Sequence, residues 1–276
     1  MRISVFTDEI CPASPEQAIH LAAAWGLTHV EVRSLPGGRF PAVADGELER
    51  LSVQVREAGL AVSGVSPGFF KCSPDDPSIG RALSDGLPRA CEWARRLGTD
   101  MVTCFAFHRV GSGDPPAAVV DLCGEMAAIA RRHGCRLALE NEAGCWGATG
   151  VEAASLIRQL GSEHISLCWD PGNACKAGSV CPYPDEYQDI RDLVSHVHMK
   201  SFDPATGSWC LMDEGAVNWA EQLGALAEDE YDGFLVIETH LHVSPDQVRI
   251  ADAALSGLQS NTLRNLLFVR SCLEQA

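Results

Sequence analysis

The sequence predicts an α/β protein folded as a (β/α)8 barrel with a C-terminal helical tail, a single domain spanning residues 1–276. Three observations predict it. Eight short apolar runs alternate with longer segments of helical period. Glycines recur just past the helical segments, at Gly26, Gly59, Gly98, Gly134 and Gly161, where a left-handed residue ends a helix most easily. The later apolar runs end abruptly in ionisable residues: Glu140, Asp170, His198 and Glu238. These lie 30, 28 and 40 residues apart, and a parallel strand with its crossover helix needs about 30 residues or more.

The elements follow in order. Arg2–Phe6 reads as the first strand, ending at Thr7-Asp8-Glu9. Ser14 caps a helix with Pro15 in its first turn and Ala18, Leu21, Ala22 and Trp25 on one face. Thr28–Val32 is the second strand, followed by a loop over Leu35–Phe40 and a helix over Asp45–Ala58. Leu60–Val65 is the third strand and leads into the loop Ser66–Lys71; a helix over Ser84–Leu97 follows. Met101–Phe105 is the fourth strand, before a helix over Ala117–His133. Cys135–Leu139 is the fifth, and Thr149 with Glu152 three residues on forms a capping box for a helix to Leu160. Ile165–Trp169 is the sixth, then a loop over Pro171–Pro184 and a short helix over Glu186–Arg191. Val194–His198 is the seventh, with a long loop over Lys200–Val217 and a helix over Asn218–Ala227. Gly233–Ile237 is the eighth, Pro245–Leu258 the last barrel helix, and the rest to Ala276 a helical tail. Such repeating units also build open doubly wound sheets. Against that reading, no Gly-x-Gly-x-x-Gly follows the first strand, and the ionisable residues end four successive strands.

In a closed parallel barrel all strand C-termini meet on one face, where catalytic groups gather. Glu140, Asp170, His198 and Glu238 then converge. Three carboxylates and one imidazole suit a single divalent ion, manganese first, with magnesium, cobalt and zinc as alternatives. A lone glutamate at a strand end is more often a structural partner; four at matching strand ends are harder to explain that way.

Composition narrows the function classes. With 37 acids against 21 Lys and Arg, the formal charge is -16, which disfavours nucleic acid. No apolar run is long enough for a membrane span, and the start lacks a signal-peptide pattern, so a cytoplasmic location is expected. The twelve cysteines include no C-x-x-C pair, and several, Cys91, Cys104, Cys123, Cys135 and Cys168, fall in apolar segments as small hydrophobes. Cys175 and Cys181 share a loop, where a disulfide or accessory metal is the alternative. The tail and the two long loops are candidate surfaces for a homodimer.

With these residues in view, the chain resembles the sugar phosphate isomerase/epimerase superfamily, the xylose isomerase-like TIM barrels. The resemblance covers almost the whole chain. It rests on Phe6-Thr7-Asp8-Glu9, Val30-Glu31-Val32-Arg33, Leu139-Glu140-Asn141, Trp169-Asp170-Pro171-Gly172-Asn173, His196-Val197-His198-Met199-Lys200 and Tyr231–His240. It implies a metal held by Glu140, Asp170, His198 and Glu238, with Glu140 and Glu238 as acid and base. His198 matches the metal-binding imidazole, and His196 is a supporting or core residue. Two positions depart from ketose epimerases of the superfamily: Asn173 stands where they have a histidine, and Pro204 where they have an arginine. The endonucleases of the superfamily need a three-metal cluster, and Asn173 removes one matching ligand.

The implied chemistry is proton transfer beside a carbonyl through an enediolate, on a small carbohydrate-like substrate. That makes the protein an isomerase or epimerase, or else a metal-dependent dehydratase using the same intermediate. Lys200 either polarises a substrate oxygen, binds a carboxylate or is a surface lysine. His240, two residues past Glu238, is a similar case. Glu31 accepts substrate hydroxyls or pairs with Arg33 or Arg109. Asn141 and Glu142 orient ligands, while Asn173, His108, Trp146 and Trp209 stand on the active face as candidate substrate contacts.

Overall fold

A computed structural model describes residues 1–241 and 254–275. Eight parallel strands form one sheet: β1 (Arg2–Val5), β2 (His29–Val32), β5 (Ala61–Val65), β6 (Met101–Cys104), β7 (Arg136–Glu140), β8 (Ile165–Trp169), β9 (Val194–Met199) and β12 (Phe234–Ile237). Their order is β1-β12-β9-β8-β7-β6-β5-β2. A single parallel bridge between Phe6 and Glu31 joins the two end strands and closes the ring. The strands are mostly apolar because both faces are covered, by helices outside and by the strands' own side chains inside, with buried polar exceptions such as Ser4, Glu31, Ser63 and His196.

The helices are α1 (Thr7–Ile10), α2 (Pro15–Ala24), α3 (Asp45–Glu57), α4 (Ile79–Arg81), α5 (Leu87–Arg96), α6 (Ala117–Arg132), α7 (Gly150–Leu160), α8 (Pro171–Lys176), α9 (Tyr187–Ile190), α10 (Trp219–Glu228) and α11 (Gly257–Leu273). Among these described residues, no helix is long and apolar enough to cross a membrane. The expected caps operate, the Ser14 and Thr149 side chains accepting from the N–H groups of Gln17 and Glu152, and Asn218 caps α10 by accepting from the Glu221 N–H. Glu152 does not close the box on Thr149, since its carboxylate accepts from the Ala148 N–H and pairs with Arg109. The helix expected over Pro245–Leu258 falls largely on residues 242–253, outside the described residues. The tail is the helix α11, which packs on the barrel through buried Leu266 and Val269 and ties Thr262 Oγ1 to the Glu9 carbonyl at 2.7 Å. All twelve cysteines are free, Cys175 and Cys181 included.

Four segments differ from expectation, each for a local reason. The Leu35–Phe40 loop is a hairpin of β3 (Ser34–Leu35) and β4 (Gly38–Arg39), turning at Pro36-Gly37. The Lys200–Val217 loop carries a second hairpin, β10 (Ser201–Asp203) and β11 (Ser208–Cys210), whose turn is held by Asp203 accepting from Ala205 N and Thr206 Oγ1. The Pro171–Pro184 loop begins as α8, because Asp170 accepts from the Asn173 N–H at 2.8 Å and Pro171 sits in the first turn. The helix expected over Ser84–Leu97 starts earlier and passes through a wide π-turn over Ala82–Gly86. Pro88, with no N–H to give, sits just beyond that turn.

The seam between β1 and β2 has little backbone pairing, and side chains reinforce it. Arg33, just past β2, pairs with Asp8 (Nε–Oδ2 2.9 Å) and with Glu9, both just past β1. Burial alone would raise the Glu9 pKa, but His240 and Arg33 hold it down to about 2. A depressed folded-state pKa stabilises the fold above the ordinary glutamate range, and that contribution disappears as pH falls through about 2. Between about pH 5 and pH 2 the wild type is therefore expected to lose on the order of 3 kcal/mol more stability than Glu9→Gln. Parallel acid limbs for the two proteins in chemical denaturation would show that Glu9 makes no such contribution.

Candidate active site

The barrel brings Glu140, Asp170, His198 and Glu238 together, as the strand-end spacing predicts. One potential ligand atom from each lies within 4.8 Å of the others, and all four residues are buried. Each is placed by the end of its own strand: Glu140 closes β7, Asp170 follows β8 as the cap of α8, His198 is the fifth residue of β9, and Glu238 follows β12. Gly172 lets α8 start against β9, for a Cβ there would stand 2.8 Å from the Lys200 carbonyl. Asn141 grips the Asp170 backbone at both its N–H and its carbonyl, each at 2.8 Å.

His198 is fixed from behind. Glu31 lies between two imidazoles, with Oε2 2.8 Å from His196 Nε2 and Oε1 3.1 Å from His198 Nε2. Burial opposes its charge, but the two imidazoles hold the carboxyl well below the usual range. An ionised carboxylate only accepts, so both histidines donate from Nε2. That leaves His198 Nδ1 without a hydrogen bond, facing Glu140 Oε2 at 3.2 Å. A bare ring nitrogen and a carboxylate oxygen this close repel unless a cation or a proton lies between them. The donor set and this unpartnered nitrogen together fit a divalent ion.

Lys200 enters the same cluster. Its ammonium lies 2.8 Å from Asp170, 2.7 Å from Glu238 and 3.7 Å from Glu140. The side chain is buried, and its backbone carbonyl accepts from the Trp219 indole at 3.2 Å. Burial, with Glu140 and Glu238 alongside, pushes Asp170 up to about 7 against the pull of Lys200. Glu238 has further partners: besides Lys200, it meets Arg33, and His240 Nε2 lies 3.1 Å away. Burial would raise its pKa, yet Lys200, His240 and Arg33 hold it well below the usual range. Trp209, on β11, covers this corner with its ring 5.1 Å from the Lys200 ammonium and 5.6 Å from the His240 ring.

A cavity of about 300 Å³ opens onto the cluster, lined by Glu140, Glu238, Lys200 and His240 among others. Four other candidates lie elsewhere. Glu31 is fully buried beneath His198 and pairs with neither Arg33 nor Arg109. Asn173 is fully buried and donates to Glu140 Oε1 at 3.1 Å, so it braces a cluster member from the side. Trp146 is packed in the core with Arg109 over its ring. His108 is exposed and bridges to Cys145, away from the cavity lining. The cavity instead adds Arg33, Arg39, Ser66 and Lys71, and Glu142 lines it directly. Arg39 and Lys71 come from a hairpin and a loop whose side-chain directions no periodic pattern reports.

Comparison with known proteins follows this geometry. A sequence-family profile described as "Xylose isomerase-like TIM barrel" matches residues 19–260. An uncharacterized protein of Methanocaldococcus jannaschii is 29% identical over 117 residues, which is 41% of this chain and 40% of that protein. The chain thus matches only two fifths of that relative's length. Among solved structures, the chain is similar to a xylose isomerase-like TIM barrel protein from Mycobacterium smegmatis in complex with magnesium, at TM-score 0.72 and 18% identity over 99% of this chain and 96% of that one. It is likewise similar to D-psicose 3-epimerase from Clostridium cellulolyticum H10 in complex with D-tagatose, at TM-score 0.76 and 15% identity over 99% of both chains. Over its sequence and its fold, the chain belongs to the xylose isomerase-like TIM barrel family.

Proposed function

We propose that the protein is a divalent-metal-dependent isomerase or epimerase of a sugar, keto-sugar or related polyol, with Glu140, Asp170, His198 and Glu238 as metal ligands and manganese as the first candidate ion. The observation that carries this reading is the convergence of these four buried side chains within 4.8 Å at the mouths of four parallel strands. The known substrate of the similar D-psicose 3-epimerase structure, a keto-sugar, is consistent with it. When bound, the metal supplies a Lewis acid that polarises a carbonyl oxygen and stabilises negative charge developing on it.

The chain's own residues perform the proton transfers. Glu140 and Glu238 approach the cavity from β7 and β12, which are separated in the sheet by β8 and β9. A substrate carbon between them meets one carboxylate on each side. One glutamate removes the proton next to the carbonyl, and the other returns a proton on the opposite face or the neighbouring carbon. Asn173 steadies Glu140, while Arg33 and His240 steady Glu238, so each carboxylate keeps a fixed direction. Lys200 donates to a substrate oxygen. Trp209 and the cavity walls exclude water from the exchanging proton.

A dehydratase is the second reading, favoured by His240. Its Nε2 lies 3.1 Å from Glu238 and its ring lines the cavity. An imidazolium there can protonate a departing hydroxyl after the same proton abstraction.

Product analysis on a keto-sugar panel with added manganese separates the readings: unchanged mass identifies an isomerase or epimerase, and loss of 18 mass units, about one water by the arithmetic of dehydration, identifies the lyase. Glu238→Gln is expected to lower turnover by about 10³-fold or more with the barrel still folded; wild-type turnover would remove Glu238 from the acid–base pair. Asp170→Ala is expected to leave purified, dialysed protein with less than half the wild-type metal by elemental analysis. Equal metal content in the two proteins would exclude Asp170 as a ligand.

A further inference from the structure

Four permanent cations line the cavity: Arg33, Arg39, Lys71 and Lys200. Three are matched by acids. Arg33 meets Asp8, Glu9 and Glu238. Lys200 meets Asp170 and Glu238. Lys71 lies 2.8 Å from Glu142. Arg39 alone of the four makes no ion pair among the described residues; the one hydrogen bond of its side chain among them runs from Nε to the Ser66 carbonyl at 3.1 Å. In a chain of net charge -16, whose cavity also presents Glu140, Glu142 and Glu238, an arginine without an acid is out of keeping with its surroundings.

The guanidinium is nonetheless held in place. Its hydrogen bond fixes Nε, and its plane packs on Gly68, where a Cβ would stand 3.0 Å from a terminal nitrogen. Gly68 also sits at φ +74, in the left-handed region that disfavours a side chain. Neither terminal nitrogen has a hydrogen-bond partner among the described residues. The β3–β4 hairpin thus presents an oriented fork of N–H donors at the cavity, which suits a planar oxyanion.

We infer that Arg39 binds a carboxylate at the end of the substrate remote from the reacting carbon, so that the ligand is a keto-sugar acid rather than a neutral sugar. This rests on the cavity being the substrate site proposed above. One uncommitted positive charge matches one negative charge. A phosphate dianion bound beside Arg39 would call for a second free cation outside the acid cluster; Arg33 and Lys200 pair with cluster acids, and Lys71 is already matched by Glu142. The cavity of about 300 Å³ is at the small end of ligand sites. A compact acid can therefore lay its carbonyl on the cluster and its carboxylate on Arg39.

The test is isothermal titration of the manganese-loaded protein with two matched sets: D-fructose, D-fructuronate and D-fructose 6-phosphate, then D-tagatose, D-tagaturonate and D-tagatose 6-phosphate. At least one uronate is expected to bind tenfold or more tightly than both its neutral and its phosphorylated counterpart. Arg39→Leu should erase that preference and Arg39→Lys retain part of it, with unchanged circular dichroism in both. The inference is overturned if neither uronate binds, if a neutral or phosphorylated member binds most tightly, or if Arg39→Leu keeps the preference. Uronate binding that depends on Arg39, without turnover, would uphold this inference and remove the isomerase reading. Turnover of a neutral keto-sugar, undiminished in Arg39→Leu, would do the reverse.

Discussion

Three carboxylates buried side by side cannot all remain ionised without positive charge among them. Glu140, Asp170 and Glu238 impose that constraint, and much of the active face answers it. Lys200 places an ammonium against all three. Arg33 reaches across the barrel seam to Glu238 and on to Asp8 and Glu9. The same guanidinium therefore reinforces the join between β1 and β2 and helps to set the charge of a candidate acid–base residue. Closure of the fold and electrostatics of the site share one side chain.

The constraint also explains the layer beneath. Glu31 is inaccessible to any ligand, yet its carboxylate fixes which nitrogen of His198 faces the cluster. A divalent ion would compete with the Lys200 ammonium for the same oxygens. Binding the ion would then require the lysine to leave those oxygens. The lysine keeps the acid cluster compatible with a folded barrel by acting as a tethered counter-charge.

Much of the fold and the central cluster were legible in the sequence, because both rest on regular spacing. Strands buried on both faces read as apolar runs, and an ionisable residue ending such a run must lie at the same level as its counterparts in neighbouring strands. Glu140, Asp170, His198 and Glu238 were readable for that reason. Residues farther from the strand ends were harder to read. Asn173 turned inward because Asp170 caps α8, a cap hidden in what reads as loop. Trp146 looked like a ring for stacking on sugar but is core. Arg39 was invisible because a two-residue hairpin at Pro36-Gly37 decides its direction, although that dipeptide is itself a turn signal. Glu31 was noticed, but its partners, His196 and His198, lie about 165 positions away.

The central claim is that one divalent ion belongs at the mouths of β7, β8, β9 and β12. A crystal structure of the protein grown with manganese, with data collected at the manganese absorption edge, tests it most directly. The account predicts one anomalous peak bound by Glu140, Asp170, His198 Nδ1 and Glu238, with the Lys200 ammonium displaced from Asp170. An absence of anomalous signal there, with the ammonium still seated among the three carboxylates at saturating manganese, would contradict it.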